Sequence, residues 1–158
     1  MNRRNLLKTA AVSSLLAGLG FSVPKSHAES FEISKTEEEW KAILTPAQFA
    51  VLRQEDTERP FTSALLDEHR KGAFNCAACA LPLYSSDAKY DSGTGWPSFF
   101  DVLPDAVGKK EDNTLFSSRT EVHCRRCGGH MGHVFDDGPK PTGLRYCMNG
   151  VALTFQAA

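Results

Sequence analysis

Four of the five cysteines fall into two matching C-x-x-C pairs, Cys76-Ala77-Ala78-Cys79 and Cys124-Arg125-Arg126-Cys127, each followed by a small residue, Ala80 or Gly128. Two thiolates of one tight turn can face a single metal ion, and two such turns complete a closed tetrahedral sulfur site of the structural zinc type. A small residue after the second cysteine leaves the backbone N–H groups of the turn free to approach sulfur. Disulfides within or between the pairs are the rival reading for an exported chain, as is a redox C-x-x-C. A redox motif needs one pair rather than two alike, and duplicated turn chemistry has no purpose in a disulfide framework. The separation between the pairs is longer than in familiar zinc ribbons, so the spacing alone is not decisive. The favoured reading is one structural zinc per chain on Cys76, Cys79, Cys124 and Cys127. Four sulfur ligands leave no open position to activate water, so the role of such a site is stability.

The segments around these pairs read as a small, mainly β domain. Thr36-Glu37-Glu38-Glu39-Trp40 opens like a capped helix with acids in its first turn, and Trp40, Ile43 and Leu44 keep helical spacing. Pro46 stops that helix and can open a second at Ala47, with Phe49, Val51 and Leu52 as its buried side. From Phe74 onward, short apolar or aromatic runs are punctuated by Gly, Pro, Asn and Asp, the texture of antiparallel sheets. The strand candidates are Leu115-Phe116, Glu121-Val122-His123, His133-Val134-Phe135 and Val151-Ala152-Leu153-Thr154-Phe155. The expected architecture is a short helical N-terminal arm on a mostly antiparallel core.

A content of 41% hydrophobic and 23% charged residues is that of a soluble globular protein and indicates neither a disordered nor a membrane-embedded chain. The first 28 residues differ in character. They carry Arg3, Arg4, Lys8 and Lys25, no acidic residue, an apolar stretch from Thr9 to Val23, and an A-x-A-like Ser26-His27-Ala28. That is the layout of a cleaved secretory signal, and its apolar run is too short and too rich in Gly, Ser and Ala for a comfortable membrane span. Asn2-Arg3-Arg4-Asn5-Leu6-Leu7-Lys8 resembles a twin-arginine export signal, an ordinary Sec signal being the alternative. Residues 1–28 are therefore expected to be the signal and 29–158 a single exported, periplasmic domain with no stable membrane insertion after cleavage. Cleavage removes four basic residues and no acidic one, making the chain more acidic than its overall −1, so nucleic acid is not an expected partner.

Cys147 is the cysteine left over, either a reactive thiol or an unused buried one. Arg145 lies two residues before it and Asn149 two after, and in an extended segment the three share a face. A nearby guanidinium favours thiolate, the nucleophilic form. His130 and His133 follow the second cysteine pair directly. With no carboxylate pair evident nearby, they read as general acid or hydrogen-bond donor rather than as ligands of a second metal.

Three stretches carry a family resemblance: Asp91-Ser92-Gly93-Thr94-Gly95-Trp96-Pro97-Ser98-Phe99, His130-Met131-Gly132-His133-Val134-Phe135-Asp136-Asp137-Gly138-Pro139, and Pro141-Thr142-Gly143-Leu144-Arg145-Tyr146-Cys147-Met148-Asn149. Together with Arg59-Pro60-Phe61-Thr62 and both cysteine pairs, in order from about Lys35 to Phe155, they resemble the B-type methionine sulfoxide reductases. The resemblance implies a pair of small antiparallel sheets with N-terminal helices, and reduction of the R-sulfoxide of peptide-bound methionine in oxidised proteins. It implies that Cys147 attacks the sulfoxide sulfur and that His133 protonates the oxygen, with His130 and Asn149 assisting. Arg145 would stabilise the thiolate, and Trp96 and Phe135 would form the apolar wall around the S-methyl group. Taken alone, Trp96 would read as a core aromatic. Sulfoxide oxygen leaves poorly until protonated, so pairing a nucleophile with an acid suits the reaction.

Many members of that family carry a resolving cysteine where this chain has Thr94, so an external reductant, thioredoxin-like or a small thiol, is the implied partner. Gly150 and Val151 replace the more usual serine and alanine, which should affect only local packing. Two other function classes remain. A zinc-ribbon interaction module would leave Cys147 unreactive at neutral pH. A Cys-His hydrolase would need an oxyanion hole that nothing here marks.

Overall fold

The computed structural model describes residues 30–113 and 118–158. The expected signal, its twin-arginine stretch and the strand candidate Leu115-Phe116 lie outside the described residues. No described helix is long and apolar enough to cross a membrane.

Both expected helices form, and both begin with reciprocal capping. In α1 (Glu37–Ile43) the Thr36 side chain accepts from the Glu39 N–H while the Glu39 carboxylate accepts from the Thr36 N–H. In α2 (Pro46–Gln54) Thr45 and Gln48 repeat the arrangement, with Pro46 at the first position, where its missing N–H costs nothing. Trp40, Leu44, Phe49, Val51 and Leu52 turn inward, whereas Ile43 is 56% exposed. The helical spacing therefore identified the elements but overstated the width of the buried stripe.

Two antiparallel sheets make up the rest. A three-stranded sheet has the order β2 (Pro82–Ser85), β1 (Gly72–Cys76), β9 (Leu153–Ala157). A six-stranded sheet runs β3 (Lys89–Tyr90), β4 (Ser98–Phe99), β8 (Arg145–Met148), β7 (His130–Phe135), β6 (Arg119–Cys124), β5 (Val107–Asp112). They meet through aromatic packing. Phe74 of β1 lies edge-on to Phe99 of β4 at 5.0 Å, and Tyr84 of β2 stacks on Phe99 at 4.3 Å. The Tyr84 hydroxyl donates to Met148 Sδ at 2.9 Å, giving this fully buried phenol a partner from the other sheet.

One strand expectation is corrected. Val151 and Ala152 lie not in β9 but in a single 3-10 turn, Gly150–Ala152. The Glu58 carboxylate accepts from the N–H groups of Gly150 and Val151, at 2.6 and 3.3 Å. The Ala152 N–H closes the turn on the Asn149 carbonyl. An acceptor 92 residues away in sequence holds these amides away from a strand partner.

Candidate active site

The two cysteine turns are near copies of each other. Cys76 N–H donates to the Leu81 carbonyl and Ala80 N–H to the Cys76 carbonyl; Cys124 N–H donates to Gly129 and Gly128 N–H to Cys124. The residue after each second cysteine is left-handed, Ala80 at φ 56° and Gly128 at φ 67°. Gly128 adopts this conformation without strain, having no Cβ, whereas Ala80 carries a Cβ into it. The four sulfurs lie within 4.8 Å of one another, Cys76 Sγ 3.7 Å from Cys127 and Cys79 Sγ 3.5 Å from Cys124. All four cysteines are free thiols, and these spacings are too long for the rival disulfide reading, whose S–S bond is about 2 Å.

The cluster suits a metal dication chemically. Hydrogen bonding among the sulfurs pushes the thiols of Cys76 and Cys124 up and those of Cys79 and Cys127 down, as expected where neighbouring sulfurs share protons and a cation would let all four ionise. Arg53 adds positive charge at its edge, donating to Cys127 Sγ at 3.4 Å and to its carbonyl at 2.9 Å while lying over the Trp40 ring. The site thus ties α1 and α2 to both sheets.

Cys147 lies about midway along the large sheet, with β8 between β4 and β7. It stands opposite Ser98 on one side and His133 on the other. Burial alternates along β8, Tyr146 and Met148 facing the core and Arg145 and Cys147 the other way. Gly132 makes the close approach of β7 possible: a Cβ there would fall 2.2 Å from the Cys147 carbonyl oxygen. A cavity of about 140 Å³ opens above the thiol, lined by Trp96, His133, Phe135, Cys147 and Asn149 together with Thr57, Arg119 and Gly132. That volume admits the end of one side chain, well below the usual size of a site for a whole small molecule.

The predicted residues are brought together with unequal access. Trp96 is oriented by an Nε1–H bond to the Glu58 carbonyl at 2.9 Å. Phe135 is covered by the Arg145 guanidinium, 4.3 Å from the ring centroid. Arg145 also forms a two-pronged bond to Asp137, at 2.8 Å for each prong, and is absent from the cavity lining. Asn149 lines the cavity, but its amide is committed to backbone: it donates to the Met131 carbonyl and accepts from the Glu58 N–H. His130 is buried behind the cavity, its ring centroid 5.5 Å from that of His133.

Carboxylates from another part of the chain reach both histidines. Asp112 Oδ2 is 2.8 Å from His133 Nε2 and also accepts from Arg119 at 2.6 Å. Burial lowers His133 below the usual histidine range against the opposing Asp112 bond, with Arg119 and His130 adding to the lowering. Glu121, buried, has one carboxylate oxygen 2.8 Å from His130 Nδ1 and the other 2.8 Å from Lys110, which also bonds Glu55. Burial opposes ionisation of Glu121, but His130 and Lys110 outweigh it and hold its carboxyl below the ordinary range. Each carboxylate serves a different histidine. Among the described residues only the four cysteines form a group fit for a metal.

Sequence reasoning therefore missed Glu58, Lys110, Asp112, Arg119 and Glu121. Glu121 was detectable in principle, being an acidic residue that opens the strand candidate Glu121-Val122-His123, where an inward-facing carboxylate demands a partner. At Gly150 the local packing is close. A Cβ there would meet Ser63 Oγ at 1.8 Å, so the usual serine requires Ser63 to move.

Comparison with known proteins agrees with this geometry. The SelR domain matches residues 44–157. A protein of Methanosarcina barkeri (strain Fusaro / DSM 804) is 58% identical over 125 residues, 78% of this chain and 88% of the relative. One from Leptospira interrogans serogroup Icterohaemorrhagiae serovar Lai is 52% identical over 128 residues, covering 80% and 98%. One from Agrobacterium fabrum is 49% identical over 132 residues, covering 83% and 98%. All three carry the name peptide methionine sulfoxide reductase MsrB. A domain match over most of the chain and relatives at this identity make this protein a member of the SelR domain family.

Proposed function

We propose that the protein reduces peptide-bound methionine R-sulfoxide to methionine. The observation that carries this reading is one small cavity holding a thiol, a histidine in contact with a carboxylate, and two aromatic walls. The Cys147 thiolate attacks the sulfoxide sulfur as the oxygen is protonated from the His133 side. The protonated oxygen leaves the methionine sulfur as hydroxide and bonds to the Cys147 sulfur. The Cys147–methionine S–S bond breaks with its electron pair returning to methionine, so that Cys147 is left as the sulfenic acid. Two external thiols then return Cys147 to the thiol, releasing water and a disulfide.

His133 carries the acid role because it lines the cavity, while His130, held by Glu121, orients it from behind. Trp96 and Phe135 enclose the S-methyl group. Arg145 acts through Phe135 and through space. The one cationic side chain at the cavity, Arg119, is paired with Asp112, leaving no carboxylate clamp for a free amino acid and favouring the peptide-bound form. The four cysteines would hold one zinc ion as a structural staple. Its binding free energy is folding free energy, because the ligands come from two distant segments. The basic, apolar, small-residue layout of residues 1–28 supports twin-arginine export to the periplasm, a route that moves folded cargo with metal already bound. There the reductant is a thioredoxin-like protein or a small thiol.

The test is turnover with dithiothreitol on each epimer of a methionine sulfoxide peptide, for the native chain and Cys147→Ser. R-specific turnover lost in the variant is the expected outcome, since a serine hydroxyl stays protonated. Equal turnover of the S epimer would sink the assignment.

A further inference from the structure

A chain of hydroxyls runs from Cys147 into the core. Thr94 Oγ1 lies 3.7 Å from Cys147 Sγ, Ser92 Oγ 2.8 Å from Thr94 Oγ1, and Ser98 Oγ 2.7 Å from Ser92 Oγ. The inner end is fully buried, and Ser98 Oγ also reaches the Trp96 carbonyl at 3.1 Å. Ser98 is the residue paired with Cys147 across β4 and β8, so the chain leaves the nucleophile and returns beneath it. Nothing in the sulfoxide chemistry above uses these groups.

Each hydroxyl has one proton to give and can accept from others. If Ser98 donates to the Trp96 carbonyl, then Ser92 donates to Ser98, Thr94 to Ser92, and the Cys147 thiol to Thr94. If Ser98 instead donates to Ser92, it gives up the Trp96 carbonyl, the bonds from Ser98 outward to Cys147 reverse, and Thr94 donates to Cys147 sulfur. The two arrangements differ by rotation of three C–O bonds, with no heavy atom displaced. The first suits a thiol, which has a proton to donate. The second suits a thiolate, which can only accept and forms the stronger, charge-assisted bond. The Ser92 oxygen keeps the Thr94 N–H as a further donor, at 3.4 Å, in either direction.

We propose that Thr94, Ser92 and Ser98 form a reversible hydroxyl relay that donates to the Cys147 thiolate and accepts from the thiol. Thr94 touches the reacting sulfur and is a catalytic residue; Ser92 and Ser98 are positioning residues that set its direction. The relay rests on the reductase reading for its purpose, but it is measured without any sulfoxide, so either can fail alone.

The experiment follows iodoacetamide alkylation of Cys147 in the full, zinc-loaded chain, by mass spectrometry of its peptide, at pH 7 and at about pH 10, where cysteine is mostly thiolate whatever its partners. Thr94→Val is expected to slow alkylation about tenfold at pH 7, as for loss of a bond to a charged group, and to leave the pH 10 rate unchanged. Thr94→Ser restores the native rate to within about twofold, one hydroxyl replacing another. Ser98→Ala slows the pH 7 reaction about threefold without touching the sulfur, because the chain loses its last donor. A native pH 7 rate in Thr94→Val or Ser98→Ala overturns the proposal, as does an equal loss at both pH values, which would indicate access rather than donation. Should Thr94→Val not fold, Ser98→Ala alone decides by the same criteria.

Discussion

His133 Nε2 and Asp112 Oδ2 are 2.8 Å apart, and the same carboxylate oxygen takes the Arg119 guanidinium at 2.6 Å. Beside that cation Asp112 is an acceptor, so Nε2 of His133 carries a proton and donates it. A neutral ring in this setting presents an unprotonated Nδ1, and delivering a proton to substrate requires the imidazolium.

The pH dependence follows. Burial holds His133 below the usual histidine range while Asp112 opposes that lowering. Asp112→Asn should move the alkaline limb of single-turnover reduction to lower pH and cost about tenfold in rate at pH 7, equivalent to one unit in the proton equilibrium. His133→Ala should lower the step by about 10²–10⁴-fold, the usual worth of a general acid. An unshifted pH–rate profile in Asp112→Asn would move the acid role away from His133. The same lowering affects stability. The folded state binds this proton more weakly than the unfolded chain, so the contribution is present above about pH 6.5 and is lost as pH falls through the folded-state value. Thermal melts from pH 8 to pH 5 should show a smaller acid-induced loss for His133→Gln than for the native chain.

Gly132 is the backbone contact that sets the position of Cys147. Gly132→Ala places a Cβ 2.2 Å from the Cys147 carbonyl, forcing β7 and β8 apart at Cys147. Overpacking of this kind costs about 1–3 kcal/mol, and misplacing a reacting group by about 1 Å can cost about 10²-fold in rate. Denaturant melts and single-turnover rates should therefore show a larger loss in rate than in stability. Full activity at reduced stability would mean that Cys147 tolerates displacement.

The metal site should contain one zinc per chain by elemental analysis of the untagged protein. Cys124→Ser removes a fully buried ligand and should abolish stoichiometric zinc and lower the melting temperature, because the turns at residues 76–79 and 124–127 lose their common anchor. Cys79→Ser, at a half-buried position, should do the same. Native thermal stability in Cys79→Ser would refute the structural role.

Regeneration follows from Thr94. Peptide sulfoxide added at one equivalent without reductant should leave a sulfenic acid on Cys147, trapped by dimedone, since the residue against the sulfur is a hydroxyl and cannot resolve it. A disulfide from Cys147 to Cys76, Cys79, Cys124 or Cys127, seen by mass spectrometry, would contradict this and implicate the metal ligands in turnover.

The sequence by itself determined the local features. Thr36, Thr45 and Pro46 specify the helix starts because capping is a bargain among neighbours. The C-x-x-C turns specify their own geometry, Ala80 and Gly128 included, because every bond that shapes them is local. Alternation around Cys147 placed Arg145 on its face, and the short motifs brought Trp96, His133, Phe135, Cys147 and Asn149 to one site. What only the tertiary structure decided is how those side chains are held. Asp112 and Lys110 come from β5, Arg119 and Glu121 from β6, and Glu58 from the loop after α2. Each acts through polar contacts to residues on other strands or loops, from 7 positions away in sequence for Arg119 to Asp112 to 92 for Glu58 to Gly150. The physical reason is range. Hydrophobic period and turn chemistry are written into consecutive residues, whereas the partner of a buried charge is fixed by sheet order and register, and one step of register would have turned Glu121 away from His130.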